Sequence, residues 1–576
     1  MNKITDEIFE GILGQVRKPG RYLGNEWNVV QKDFADAQVK FAICFPDLYE
    51  VGMSNLGLRI IYGLLNSRPG LLCERVFLPD TDMREILKKS KIPLFSLESK
   101  TALREFDFIG FSLSYELDYT NVLGILELAG IPLLARERDE SFPLVIAGGS
   151  CVGNPEPLAD FIDLFLIGEA EEALLEIVEI YRKHQVAGIR YQVTKEDILR
   201  ELAKVAGVYV PSLYEVEYSG EGAVKKFSAR HPDIPLKARK RIVNDLNSAY
   251  YPTQWLVPYV SIVHDRAAVE LMRGCPHRCN FCQARNIYHS LRLRSPEKVL
   301  ELANALIRSS GYEEISFLGL SASDYPYLSK VISSVNEEFC AQAIGISLPS
   351  LRPKSYFGEL ANYLSPVRKT TLTFAPEAGS NRLRDALNKN FRVEELYEAV
   401  SAAYRSGWQA IKLYFMIGLP GEDYSDLDAI LAVAEEVSNL RKKVSRSRAV
   451  VRLSIAFFIP KPHTAFEREP MDSAENLRKK ALYLRKASRA VPKTIKLNFH
   501  NLESSLLEAV LSRGSRELGR VILTAYKKGS LCDGWPEHFR YEHWVESFRE
   551  CGLDMELYFG RKQKDGILPW SHIDML

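Results

Sequence analysis

The chain has 576 residues, 46% of them hydrophobic and 26% charged, and its 75 basic and 74 acidic side chains leave a formal charge of +1. That length exceeds what one core organises and predicts several domains, while the near-neutral balance excludes a protein whose bulk charge names its partner. Nine cysteines, mostly scattered singly, do not form a disulfide framework, and the mixed charges of the first residues with no long apolar run predict a cytoplasmic protein without a membrane span.

Residues 1–38 read as a short helical arm ending at the Pro19-Gly20 turn. From 39 to 190, strand-like runs at Val39–Phe45, Arg75–Leu78, Phe108–Leu113, Leu144–Ala147 and Leu164–Ile167 alternate with helical runs near Leu56–Leu65, Asp82–Lys89, Asn121–Ala129 and Glu171–Arg182. This alternation predicts an α/β fold with a doubly wound, Rossmann-like parallel sheet whose ligands bind outside the carboxyl ends of the strands. The loops at those ends hold small polar residues: Ser54 in the first, Ser112 and Ser114 in the second, and the pair Gly148-Gly149 in the third. A Gly-Gly pair directly after a buried strand lets a ligand approach the backbone closely, and the same residues also serve a plain turn.

Residues 191–262 read as a connector with short strands, including a hairpin around Ser219 to Gly222 and a basic run from Lys237 to Arg241 expected as a solvated link. The next segment, 263–465, opens with an apolar run from Ala267 to Met272. It then places Cys275, Cys279 and Cys282 at C-x3-C-x2-C spacing on one loop. Three close thiolates imply a metal. A cubane iron-sulfur cluster takes four thiolates when the protein holds all its irons, and without a fourth Cys nearby one iron stays open to a small molecule. A structural zinc closed by His277 or His289 is the alternative.

Six strand-helix units follow. Their strands are expected at Val269–Arg273, Glu314–Leu318, Ile344–Leu348, Thr371–Phe374, Ile411–Ile417 and Val450–Phe458, with helices near Pro296–Arg308, Ser329–Glu338, Gly358–Leu364, Val393–Ser406 and Tyr424–Val437. Six units predict a partial (β/α)6 TIM-like barrel with its sites at the carboxyl ends of the strands. Residues 466–576 turn mostly helical and are expected as a C-terminal helical domain. Within them the stretch from Arg478 to Lys496 carries basic and no acidic side chains, so it reads either as a solvated face or as one that meets phosphates.

The cysteine spacing, with Phe281 before the third Cys, resembles the radical S-adenosylmethionine (SAM) superfamily. The resemblance implies a [4Fe-4S] cluster on Cys275, Cys279 and Cys282 that binds SAM through its amino and carboxylate groups at the open iron. It makes Gly319, Ser321, Ser347, Glu377 and Arg382 candidate SAM contacts, although Gly319-Leu320-Ser321 stands where the superfamily has a Gly-Gly-Glu-like turn. Met416 to Glu422, with Ile417 and Gly418, is similar to the superfamily's adenine-side motif. A doubly wound sheet ahead of such a core, with Gly148-Gly149 and then Gly168-Glu169-Ala170-Glu171, resembles the cobalamin-binding radical SAM proteins. Cobalamin contacts are thereby implied at Ser54, Ser112, Ser114, Gly148 and Gly149. The chain has no Asp-x-His-x-x-Gly, so the resemblance implies cobalt without a His ligand.

From about residue 20 to the end, the sequence resembles one uncharacterised family of such proteins. The implied activity is a radical SAM enzyme that generates a 5′-deoxyadenosyl radical and carries out cobalamin-dependent methyl transfer to an unactivated carbon. Its substrate is unnamed, with RNA and peptide among the classes, and its electron donor is of the flavodoxin or ferredoxin type. Competing readings are rearrangement or oxidation beside a scaffold-only Rossmann domain, and an iron-sulfur electron-transfer protein that docks a partner.

Overall fold

Short, mostly apolar runs build the first sheet, and its longer strands are nearly all buried on both faces, as parallel strands covered by helices are. The computed structural model describes residues 4–188, 193–219, 223–339, 344–349, 351–353 and 371–575. The turn at 220–222 and the helix expected at Gly358–Leu364 lie outside them. The chain divides into two compact units, one of residues 1–265, 511–555 and 565–576, the other of 266–510 and 556–564.

In the first unit, β1 (Val39–Phe45), β2 (Leu71–Phe77), β3 (Phe108–Ser112), β4 (Leu144–Gly148) and β5 (Leu164–Leu166) are parallel in the order β2-β1-β3-β4-β5, and β6 (Val208–Tyr209) closes the edge antiparallel. This is the doubly wound sheet the alternation predicts. Strand β2 begins earlier than the expected Arg75 because its charged middle is buried: Arg75 pairs with Glu26 at 2.7 Å and with Glu98 at 2.6 Å. Strands β7 (Tyr214–Tyr218) and β8 (Val224–Ala229) form the expected hairpin, and β9 (Ala238–Arg239) follows.

The second unit opens with β10 (Ala267–Glu270), then β11 (Met272–Arg273), which pairs antiparallel with β12 (Arg292–Leu293). The single strand expected at Val269–Arg273 is therefore split at Leu271, whose N–H donates to Leu318 O while its carbonyl accepts from Arg294 N–H. Strands β13 (Glu314–Leu318) and β14 (Gly345–Ser347) continue a parallel ladder from β10. A second parallel ladder contains β15 (Leu372–Glu377), β16 (Ala410–Ile417), β17 (Val450–Phe457) and β18 (Ile495–Phe499). Strand β18 is a seventh parallel strand beyond the six expected. Lys496 and Asn498 on its exposed face break the apolar run that would have revealed it.

Along β16 the residues Ile411, Leu413, Phe415 and Ile417 are buried, and those between them are half-buried. The helices Val393–Arg405 and Tyr424–Leu440 are buried along Leu396, Val400, Leu427 and Ile430, and the second packs against β16 and β17. Strand β19 (Ile573–Asp574) pairs parallel with β9. The Lys237–Arg241 run is accordingly not a solvated link, since Lys240 is buried and Arg241 binds Glu172 and Glu176 at 2.9 and 2.7 Å. The tail expected as its own helical domain is shared between the two units.

Candidate functional site

The thiol loop follows β11. Gly274 has a φ of +90°, and a Cβ there would lie 2.7 Å from Ser290 O and 2.8 Å from Tyr288 O, so only glycine lets the chain turn into the loop. Asn280 N–H donates to Leu387 O at 2.9 Å, its side-chain amide donates to Ala386 O at 2.9 Å, and Asn388 donates to Arg278 O at 2.7 Å. Phe281 packs on a core of Ala378, Leu383, Leu387, Leu419 and Phe458. These bonds tie the loop to the turn after helix Asn381–Ala386 and leave Cys275, Cys279 and Cys282 half-buried and unbridged.

Burial pushes the Cys275 and Cys282 thiols up, so iron must displace protons from them on binding. The remaining described cysteines belong to the first unit. Among the described residues no group of His, Cys, Asp and Glu closes around a single ion. His277, one candidate fourth zinc ligand, instead meets Asp324 at 2.8 Å. Three sulfurs on one loop are a donor set that fits a cubane with one open iron.

Ser321 donates to the same Asp324 carboxylate at 2.5 Å, and Ser323 accepts from Arg352 N–H at 2.9 Å. Gly319 sits beside Met272, where an added Cβ would lie 3.1 Å from its Cγ, and Ser347 ends β14 half-buried. Glu377 ends β15 past an irregularity in the ladder, at a φ of +68° that a side chain rarely adopts. Burial pushes its carboxyl up, opposed by Lys389 at 3.1 Å, whose ammonium also lies 5.8 Å from the Phe281 ring centroid.

Arg382 is 55% exposed and committed elsewhere, to Asp426, to Gly421 O at 3.1 Å and to Asp423 at 3.6 Å, because helix Tyr424–Leu440 presents acids at its first turn. The backbone expected to pair with adenine is used within the chain: Ile417 O accepts from Phe458 N–H at 2.9 Å, and Gly418 N–H donates to Glu422 at 2.7 Å. Asp324, Arg352 and Lys389 lie outside the contacts that the sequence predicts. Only Asp324 had a signal, its place in the small polar turn after β13.

In the first unit, the carboxyl ends of the strands meet the returning tail. Trp535 donates to Asp47 at 2.8 Å, Asn121 accepts from Cys532 N–H at 2.7 Å, and Asn154 donates to Ser512 O and Gly514 O at 3.0 and 2.8 Å. Thr120 and Trp544 both donate to one oxygen of buried Asp533, at 3.2 and 3.3 Å. Burial holds the Asp533 carboxyl up at about 7, and burial together with Asp47, Glu116 and Asp533 raises Asp118 far above the ordinary range.

Between these contacts, Ser114 and Gly149 remain exposed, and Ser112, Gly148 and Ser150 half-buried. Gly149 has a φ of +114° and would strike Leu113 O at 2.3 Å with a Cβ, so its glycine is required by the approach of two strand ends. Ser54 is engaged with Glu50 O at 2.8 Å and accepts from His264 N–H at 3.0 Å.

A parallel α/β ladder that presents three free thiols just beyond its first strand defines a class of iron-sulfur-binding protein. The chain carries radical SAM regions: residues 269–434 match the model of the radical SAM superfamily, and residues 57–211 match the model for the N-terminal region of radical SAM proteins. An uncharacterized protein of Methanocaldococcus jannaschii is 28% identical over 508 residues, 86% of this chain and 96% of that one. The anaerobic magnesium-protoporphyrin IX monomethyl ester cyclase of Cereibacter sphaeroides is 25% identical over 48% of this chain and 41% of its own length. Among solved structures, the radical SAM methyltransferase TsrM of Kitasatospora setae, with cobalamin and a [4Fe-4S] cluster bound, is similar at 13% identity with a TM-score of 0.49, covering 75% of this chain and 77% of that one. No described helix is long and apolar enough to cross a membrane.

Proposed function

We propose that this radical SAM enzyme also uses cobalamin and transfers a methyl group to an unactivated carbon of its substrate. The observation that carries the reading is the three-thiol loop beyond the first strand of a parallel ladder, fixed by Gly274 and stapled through Asn280 and Asn388. When bound, a [4Fe-4S] cluster with an open iron supplies the electron that cleaves SAM to methionine and a 5′-deoxyadenosyl radical, and cobalamin supplies a transferable methyl group.

Cys275, Cys279 and Cys282 hold the cluster, and the His277–Asp324–Ser321 chain orients the loop between the first two thiols. The Glu377–Lys389 pair stands at the end of β15 with its carboxylate held by one cation, leaving acceptor capacity for a bound ligand. In the first unit, the open group of Ser112, Ser114, Gly148 and Gly149 carries no imidazole, which suits a corrin whose cobalt lacks a His ligand. A flavodoxin- or ferredoxin-type protein is the electron donor in this reading.

Anaerobic turnover with substrate tests it. Methyl transfer gives 5′-deoxyadenosine and S-adenosylhomocysteine in about equal amounts, because one SAM makes the radical and another replaces the methyl group. Deoxyadenosine alone, with substrate consumed, refutes methyl transfer. The tail's seat on Asp47, Asn121 and Asn154 favours a second reading, in which the sheet is a scaffold and the reaction a rearrangement or oxidation. Purification with hydroxocobalamin separates the two, since a scaffold retains none.

A further inference from the structure

Side chains alternate across a strand, so the face of the second ladder opposite the buried residues Ile411, Leu413, Phe415 and Ile417 is displayed by Lys412, Tyr414 and Met416 on β16. Barrel interiors are ordinarily filled by branched apolar residues. This face is not. Thr373 pairs in register with Lys412, Lys412 with Arg452, and Arg452 with Lys496, which sets three cations side by side on three adjacent strands. The level above them holds Tyr414, Ser454 and Asn498, also in register.

Like charges opposite one another across strands destabilise a sheet, and nothing in the described structure neutralises these. Arg452 reaches only Thr371, at 3.5 Å, the Lys412 ammonium lies 4.6 Å from the Tyr414 ring centroid, and no carboxylate pairs with any of the three among the described residues. Carboxylates on the first ladder are already taken, Glu270 by Arg273 at 3.0 Å and Glu314 by Arg266 at 2.9 Å. Two cations of helix Ala474–Ala487 do pair with acids, Arg478 with Glu503 at 3.0 Å and Lys480 with Glu422 at 2.8 Å.

We propose that Lys412, Arg452 and Lys496 bind an oligophosphate group of the substrate, a small molecule, while its reacting carbon lies toward the carboxyl ends of the strands. The row spans two strand spacings, about 10 Å, too wide for one carboxylate and suited to linked phosphates. Lys412 stands five residues below Ile417, about 16 Å along the strand, so the substrate is elongated, with a polar middle beside Tyr414, Ser454 and Asn498. The assignment rests on the radical SAM reading only in taking this face as the substrate side.

Titration calorimetry of the full-length, cluster-reconstituted protein with sodium tripolyphosphate tests the proposal, with iron content and melting temperature measured on every sample. The wild type binds, and the variant Lys412→Gln/Arg452→Gln/Lys496→Gln loses about tenfold or more in affinity. Lys496→Gln alone, on the exposed edge strand, loses part of it if the triple variant fails to fold. The control Lys442→Gln/Lys443→Gln/Arg446→Gln, on the exposed turn after helix Tyr424–Leu440, binds as the wild type does. Absent wild-type binding, or equal loss in the control, overturns the proposal while an intact cluster leaves the radical reading standing. A 12-nucleotide oligouridylate that binds through the row about tenfold or more tighter than tripolyphosphate overturns the small-molecule assignment.

Discussion

Replacing Asp533 by Asn should change how the first unit's stability depends on pH. Asp533 is 1% exposed, its Oδ2 accepts from Thr120 and Trp544, and its Oδ1 is buried with no hydrogen-bond partner. Burial holds its carboxyl at about 7 against an ordinary 3.8. A carboxyl raised on folding binds its proton more tightly in the folded chain than in the unfolded one. Stability is therefore fully present below about pH 4, falls as pH rises toward 7, and is level above that. A difference of about three units corresponds to at most about 4 kcal/mol.

Asp118, raised in the same direction and facing Asp47, Glu116 and Asp533, adds to the slope, while the nearby cation, Arg84, lies against Cys532. The Asn variant should retain only the part due to Asp118. The measurement is urea unfolding of the first unit at pH 5 and pH 8 for both proteins, followed by tryptophan fluorescence. Wild type should lose a few kcal/mol more than the variant between the two pH values. Parallel pH dependences would show that the buried carboxyl is not the titrating group.

Cys279→Ala should take the reconstituted protein from about four irons to nearly none, read by iron analysis and the cluster's absorbance. Gly274→Ala, whose Cβ meets backbone at 2.7 Å, should lower iron retention and cost the loop about 2–4 kcal/mol, seen as faster iron loss to a chelator. Gly149→Ala should destabilise the first unit by about the same amount in urea unfolding and leave the iron content unchanged. Arg382→Ala should alter uncoupled SAM cleavage by less than about twofold, because its guanidinium is occupied by Asp426.

The doubly wound parallel character of the first unit's sheet and most of the second unit's strands were legible because their apolar runs are short and separated by helical periods; the strand order was not. Polar strands escaped. Strand β2 hides Arg75 in a buried ion-pair network and Glu74 against Ser99, and β18 carries Lys496 and Asn498 on an unburied face. The cysteines were legible from spacing alone. Lys389 and Arg352 were not, since a lone cation in a loop looks the same whether it faces solvent or a buried carboxylate. Arg382 shows the converse: a residue type suited to ligand binding also finds a partner within the chain, here an acid in the first turn of helix Tyr424–Leu440.

The first unit is assembled from pieces far apart in the chain, with residues 266–510 placed between its sheet and the Ser512–Trp535 segment that seals the strand ends. On a ribosome adding about 5–20 residues per second, roughly 12–50 s separate the two. During that interval the nascent sheet exposes Asp47, Asn121 and Asn154 without their tail partners, while all of the second unit but residues 556–564 has been made. Truncation before residue 512 should therefore leave the thiol loop and both of its ladders, short only of residues 556–564, beside a first unit dependent on chaperones, so a stalled or proteolysed chain would keep its metal loop and lose its sheet.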